Sequence, residues 1–284
     1  ARSVVSPVSL VVSAFAPCDD VRGAWTPWLR TDRGESALVF VDLAPGRARL
    51  GGSILAQVFG QSGNETPDLD DPARVVSLYA ALAELRARSL VVAYHDRSDG
   101  GLFVALAEMA FAGRTGLDVD LAPLVGASPA PASVLATLFS EELGAVLQVA
   151  AADRPAVLET LARHGLPGAV LGAPAPGGAV RLRCGEAVLF EESRATLQRL
   201  WSDTTHRMQA LRDNPACARE EHERILDDAD PGLSPVLTFD PAEDVAAPFV
   251  AAGARPRIAI LREQGVNGQV EMAAAFDRAG FEAV

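Results

Sequence analysis

The stretch SLVVAYHDRSDGGLFVALAEMAFAG, residues 89–113, joins a short apolar run to an apolar helical run through seven polar or glycine residues. Leu90, Val91, Val92 and Ala93 are continuously apolar, the pattern of a strand buried on both faces. Leu102, Ala105, Leu106, Met109 and Ala110 recur at three-to-four spacing, which predicts a helix from Gly101 to a glycine cap at Gly113. A strand, a polar turn and a helix follow one another. Such a turn presents the free N–H groups and positive dipole end of a helix, and Gly100 and Gly101 allow a ligand close to the backbone. Phosphate suits that environment. Asp96 and Asp99 add hard oxygen donors, and Mg²⁺ commonly binds through one or two carboxylates together with substrate phosphates. The same residues also read as an ordinary N-cap at Ser98 or Asp99 with a solvated Asp96, and spacing alone leaves both readings open.

The chain of 284 residues is 49% hydrophobic, enough for one large or two ordinary cored domains. It lacks an apolar run long enough to span a bilayer, and the residues ARSVVSPVS lack the basic start of a signal peptide, so a cytoplasmic protein is expected. A net charge of -12 argues against a nucleic-acid surface, which needs clustered positive charge. All 25 basic residues are arginine, which excludes a lysine nucleophile in this chain. Cys18, Cys184 and Cys217 show no CxxC spacing, and His95, His164, His206 and His222 form no short-spaced pair. Of the histidines, His95 alone adjoins the candidate turn.

Taken in order, 4–15 is an apolar β-branched run expected to be a strand, with Asp19 and Asp20 placed to cap a short helix. A new strand is expected at 37–43, and LGGS at 50–53 leads into a helix capped by Ser53. Asp71 before Pro72 opens a helix running to Arg88. A strand at 117–121, a loop at 126–132, a turn at Ser140-Glu141-Glu142 and a strand at 145–149 follow. Glu141 and Glu142 read either as ligand-orienting groups or as solvated or arginine-paired carboxylates. A helix from Asp153 to His164, a Gly/Pro-rich connection at 165–178 and a hairpin of AVRLRC with AVLFEE complete a mixed α/β sheet domain. Two helices start at Ser193 and near 216, and 227–254 has the acidic, proline-bearing character of a linker. A fresh βα unit, RIAIL then QVEMAAAFDRAG, begins at 257.

The segment AYHDRSDGGLFVALAEMAFAG resembles the corresponding segment of the phosphoribosylformylglycinamidine synthases, large single-chain amidotransferases of purine biosynthesis. Six further blocks agree in order: SPVSLVVSAFAP at 6–17, LGGSILAQVF at 50–59, LFSEELGAVLQV at 138–149, LRDNPACA at 211–218, DADPGL at 228–233 and RPRIAILREQGVN at 255–267. The resemblance implies a C-terminal-type α/β domain of the aminoimidazole ribonucleotide synthetase superfamily at 35–192. It further implies the tail of a preceding N-terminal-type subdomain at 1–34, helices and linker at 193–254, and the opening of a class I glutaminase domain at 255–284.

It also implies an ATP-dependent ligase using glutamine and formylglycinamide ribonucleotide, whose remaining parts pack against this segment and without which the segment is inactive. In the family, the residue matching Asp96 is a Mg²⁺ ligand and the residue matching Ser98 contacts ATP or ADP. Asp99, Gly100 and Gly101 join the nucleotide-binding set on helix-terminus chemistry. No catalytic residue is assigned, and Cys217 is not the glutaminase nucleophile. The family pattern leaves open whether nucleotide here turns over or serves as a structural cofactor.

Overall fold

A computed structural model describes residues 11–18, 20–63, 65–230 and 232–284. The described chain divides into two compact units at Asp230. The first is built on a seven-stranded mixed sheet with strands β1 (Ser36–Asp42), β2 (Ala93–Asp96), β3 (Gly116–Asp120), β4 (Gly144–Ala150), β5 (Gly168–Ala175), β6 (Ala179–Cys184) and β7 (Ala187–Ser193). Its helices are α1 (Ile54–Val58), α2 (Pro72–Ala87), α3 (Gly101–Gly113), α4 (Ala122–Val125), α5 (Pro131–Phe139), α6 (Arg154–Arg163), α7 (Arg194–Arg212) and α8 (Pro215–Glu223). Across the sheet the order is β2-β4-β1-β5-β3-β6-β7, with β3 and β6 parallel and the other neighbours antiparallel. The expected mixed α/β sheet is therefore observed.

Period-two alternation explains the layering, because successive side chains of a strand face opposite sides. Leu38 and Phe40 of β1 join Leu102, Leu106 and Met109 of α3 in one core, against which Leu197 of α7 also packs. Val39 and Val41 join Leu78 and Leu85 of α2 and Val157 and Leu161 of α6 in a second core on the other face. The sheet is thus covered on both sides, and α3 lies on the same face as α5 and α7.

Several expectations are met closely. Helix α3 spans Gly101–Gly113, although its left-handed cap falls on Arg114 at φ 47° and not on Gly113, which is instead packed against Leu29; Ser53 caps α1 through its side chain, and Asp71 caps α2 ahead of Pro72. The hairpin of β6 and β7 is antiparallel as expected. The strand expected at 90–93 is displaced: the chain leaves α2 through Ser89 at φ 54°, and ladder pairing runs from Ala93 to Asp96. That strand lies at the sheet edge rather than buried on both faces; Tyr94 N–H instead reaches the Thr26 carbonyl at 3.0 Å.

Strand β5 replaces much of the connection expected at 165–178, and it sits between β1 and β3. Gly172 and Pro174 hide it in the sequence, yet Gly172 is required there because a Cβ would lie 1.9 Å from the Asp118 carbonyl. Helix α5 begins at Pro131, inside the region read as a loop at 126–132, and α4 lies just before that region. The strand expected over 4–15 falls largely outside the described residues, while 11–18 carry no regular element. Asp19 is also outside them, and Asp20 caps a single 3₁₀ turn at Val21–Gly23.

The second unit holds α9 (Ala247–Ala251), β8 (Arg257–Ile258), α10 (Gln269–Arg278) and β9 (Glu282–Ala283). Strand β8 is shorter than the expected RIAIL run and pairs only with β9, in parallel. Helix α10 presents Val270 and Met272 at 67% and 53% exposure. A two-stranded sheet with so little cover opens easily. Amides of Ile258, Ile260 and Val284 are accordingly expected to exchange quickly, and those of β1 and β4 slowly, in a hydrogen-exchange experiment. Equal protection in both places would refute the reading of 255–284 as an incompletely covered unit.

Helices α2 and α6 are tied by Glu84, whose carboxylate accepts from Arg163 at 2.5 Å and Arg88 at 3.2 Å and contacts His164 at 3.3 Å. The Arg163 hydrogen bond above all, opposed by desolvation and helped by His164, lowers its pKa from 4.5 to about 2. A carboxylate depressed on folding contributes stability that is present above its unfolded pKa and lost as pH falls toward the folded one. The stability difference between the parent and Glu84→Gln, measured by urea unfolding, should therefore hold above pH 4.5 and shrink toward pH 2. A difference independent of pH would contradict this role.

Candidate functional site

The turn between β2 and α3 is held from below by the buried Arg97. Arg97 is 6% exposed, and its guanidinium donates to the Glu142 carbonyl, to Asp42 Oδ1 at 2.9 Å and to the Leu143 carbonyl at 3.0 Å. It also lies 4.9 Å from the centre of the Phe40 ring. Burial pushes its pKa down while Asp42 pushes it back up. Arginine remains a cation even so, and the Asp42 pairing compensates its charge. With Arg97 pointing inward, Asp96, Ser98 and Asp99 are all exposed on the other side of the same turn.

All five residues singled out in the sequence are therefore brought together in one turn. Asp96 ends the edge strand, and its side chain is 67% exposed. The His95 ring sits behind it, with Nδ1 at 2.8 Å from the Asp96 carbonyl and Nε2 at 2.8 Å from Glu108 Oε2. Glu108 also accepts from Trp201 Nε1 at 3.0 Å, linking β2, α3 and α7. Tyr94, on the same strand, has its phenol pushed up to about 12 by burial.

Gly100 and Gly101 both adopt left-handed backbone, at φ 81° and 70°. Their N–H groups are engaged internally: Gly101 donates to the Ser98 carbonyl at 2.9 Å and Gly100 to Glu141 Oε1 at 2.8 Å. Among the described residues the backbone N–H groups of Ser98 and Asp99 have no partner. The open donors of the turn thus belong to those two residues.

Sequence reasoning left the part of Glu141 and Glu142 undecided. Glu142 is fully buried and arginine-paired, accepting from Arg49 Nε at 2.6 Å and Nη2 at 2.7 Å. Glu141 instead uses a single oxygen to accept from Gly100 N–H and from Ile54 N–H, each at 2.8 Å. The LGGS block is thereby tied to the candidate turn. A contact between positions 41 residues apart leaves no spacing signal in the chain.

His206 and His222 also meet, with rings stacked 4.3 Å apart, because α7 and α8 fold into a hairpin. Among the described residues no three His, Cys, Asp or Glu side chains converge in a metal-binding cluster. Cys18, Cys184 and Cys217 are free, with Cys184 buried. No helix among the described residues is long and apolar enough to cross a membrane.

Residues 36–185 match the family described as AIR synthase related protein, C-terminal domain, which covers more than half of the 284 residues. The chain belongs to this family. Residues 255–284 match a CobB/CobQ-like glutamine amidotransferase domain, so an AIR synthase related domain and an amidotransferase segment stand in that order. The family resemblance read from the sequence blocks is borne out by these two matches.

Among solved structures, the T. maritima PurL complexed with FGAR is 16% identical at a TM-score of 0.50, over 93% of this chain and 36% of that one. T. maritima PurL complexed with ATP is 20% identical at a TM-score of 0.48, over 60% and 27% of the two chains. E. coli HypE, a hydrogenase maturation protein, is 19% identical at 0.41, over 60% and 52%. The likeness to the FGAR complex establishes a shared fold. This AIR synthase related chain spans about a third of the length of the PurL structures.

The tight seating of the AIR synthase related turn makes a stability prediction. A Cβ on Gly101 would lie 2.6 Å from the Leu138 carbonyl oxygen and 2.8 Å from that of Ser140, in addition to the strain of left-handed backbone. Gly101→Ala should destabilise the first unit by about 2–4 kcal/mol in urea unfolding. A loss below about 0.5 kcal/mol would show that the turn is not held as described.

Proposed function

We propose that the chain is a segment of a phosphoribosylformylglycinamidine synthase and supplies one side of a Mg-nucleotide site at the 96–101 turn. The observation carrying this reading is the order of the two families on one chain, an AIR synthase related C-terminal domain followed by a glutamine amidotransferase segment. In this reading, 1–34 ends a preceding synthetase subdomain, 35–192 is the C-terminal-type subdomain, 193–254 connects, and 255–284 opens the glutaminase. PurL structures complexed with ATP, ADP and FGAR agree with the proposed substrate classes.

The overall reaction would join formylglycinamide ribonucleotide, ATP and glutamine-derived ammonia into formylglycinamidine ribonucleotide. The γ-phosphoryl group passes to the formylglycinamide oxygen, ADP departs, ammonia adds to the activated carbon, and inorganic phosphate leaves with that oxygen. At the 96–101 turn Asp96 offers an exposed carboxylate, Ser98 a hydroxyl, and Ser98 and Asp99 open backbone N–H groups. One exposed carboxylate fits Mg²⁺, which keeps water and phosphate ligands and needs few protein ones. The ion would neutralise phosphate charge when bound. Asp96 would hold it, the open N–H donors would orient a phosphate, and buried Arg97 would keep the turn in place.

In the full-length enzyme, Asp96→Asn should lower the nucleotide and Mg²⁺ that remain bound through purification and are released on denaturation. The substitution keeps the shape of the side chain and removes its charge. Unchanged nucleotide and metal content would overturn the assignment of Asp96.

A further inference from the structure

Beside the open N–H groups of Ser98 and Asp99, the Gly100 N–H at the head of α3 is already occupied by the Glu141 carboxylate. The same oxygen also holds the N–H of Ile54, so one negative charge closes two turns that lie 46 residues apart. Resting on the Mg-nucleotide reading above, we propose that Glu141 is a resident anion that occupies the phosphate position and is displaced when nucleotide binds.

Three features of the surroundings support displacement. First, Glu141 is partly exposed and its carboxylate makes only these two hydrogen bonds among the described residues, whereas its neighbour Glu142 is buried and fixed by Arg49. A side-chain rotation of Glu141 therefore leaves the strand-entry backbone in place. Second, both groups bonded to Glu141 are neutral backbone donors, and among the described residues no cation holds the carboxylate there. Third, a phosphate oxygen on this turn would face a like charge at short range, which is repulsive in a partly screened site. Retaining both anions is the less stable arrangement.

Displacement also carries a message away from the turn. Gly51 and Gly63 pack so closely that a Cβ on Gly63 would lie 2.6 Å from Gly51 Cα, and Gly51 N–H bonds the Glu65 carbonyl at 2.6 Å. Residues 50–63 thus fold back on themselves, and their link to the α3 turn through Ile54 depends on Glu141. Nucleotide binding would release that link. Glu141 acts in this scheme as a positioning residue that sets nucleotide affinity and couples it to the loop.

The test compares MgADP binding to the full-length protein and to its Glu141→Gln variant by calorimetry. The neutral amide keeps an oxygen that can accept both hydrogen bonds, so folding is preserved while the competing charge is removed. Binding at least about tenfold tighter in Glu141→Gln is expected. Affinity equal to or weaker than that of the parent, with the parent binding MgADP, would overturn the resident-anion role and leave the nucleotide site standing. No MgADP binding by either protein would sink both. Binding by the variant alone would support displacement as the limiting step. Hydrogen exchange in the parent gives a reading free of mutation: MgADP should speed exchange at Ile54 while Gly100 stays protected. Unchanged protection of Ile54 in saturated enzyme would overturn the proposal.

Discussion

Arg97 is the constraint on which the arrangement of the turn depends. A buried guanidinium must have its donors met, and here the acceptors come from the end of β1 and from the 142–143 segment before β4. Satisfying it draws three separate segments together at one end of the sheet. Because Arg97 points inward, its neighbours Asp96 and Ser98 point outward. The exposure of the candidate binding groups is thus a consequence of burying the residue between them.

The two adjacent glutamates divide the remaining work. Glu142 offsets Arg49 inside the protein, and Arg49 also reaches Asp70 at 3.1 Å, fastening the segment ahead of α2. Glu141 faces the other way and meets backbone N–H groups of two turns. One side chain is structural and fixed, and the other is held only by neutral donors. In the proposed nucleotide site, that contrast would let an anion bind reversibly at the turn.

Much of this arrangement is legible in local signals of the chain. Helix α3 could be placed residue for residue because its apolar spacing and its terminal glycines are all contained in 101–113. The five candidate residues all lie within 96–101, so their meeting in one turn needed no tertiary information. What stayed hidden depends on distant contacts or on atypical strands. Strand β5 carries Gly168, Gly172 and Pro174, with Gly172 crowded by the Asp118 backbone and Gly168 by the Leu158 and Leu161 side chains, and this composition imitates a loop. Glu141 is indistinguishable from Glu142 until the fold brings Gly100 and Ile54 to it. The stacking of His206 and His222 likewise requires the α7–α8 hairpin.

The account stands on phosphate and metal lying at the 96–101 turn, and paramagnetic relaxation measures that location directly. With Mn²⁺ in place of Mg²⁺ and ADP added to the full-length protein, amide resonances of Asp96 to Leu102 should broaden most. Those of Arg30, Arg114 and Arg154, which line a separate cavity of about 800 Å³, should stay sharp. Strongest broadening around that arginine-lined cavity, or none in the turn at saturating nucleotide, would contradict the account.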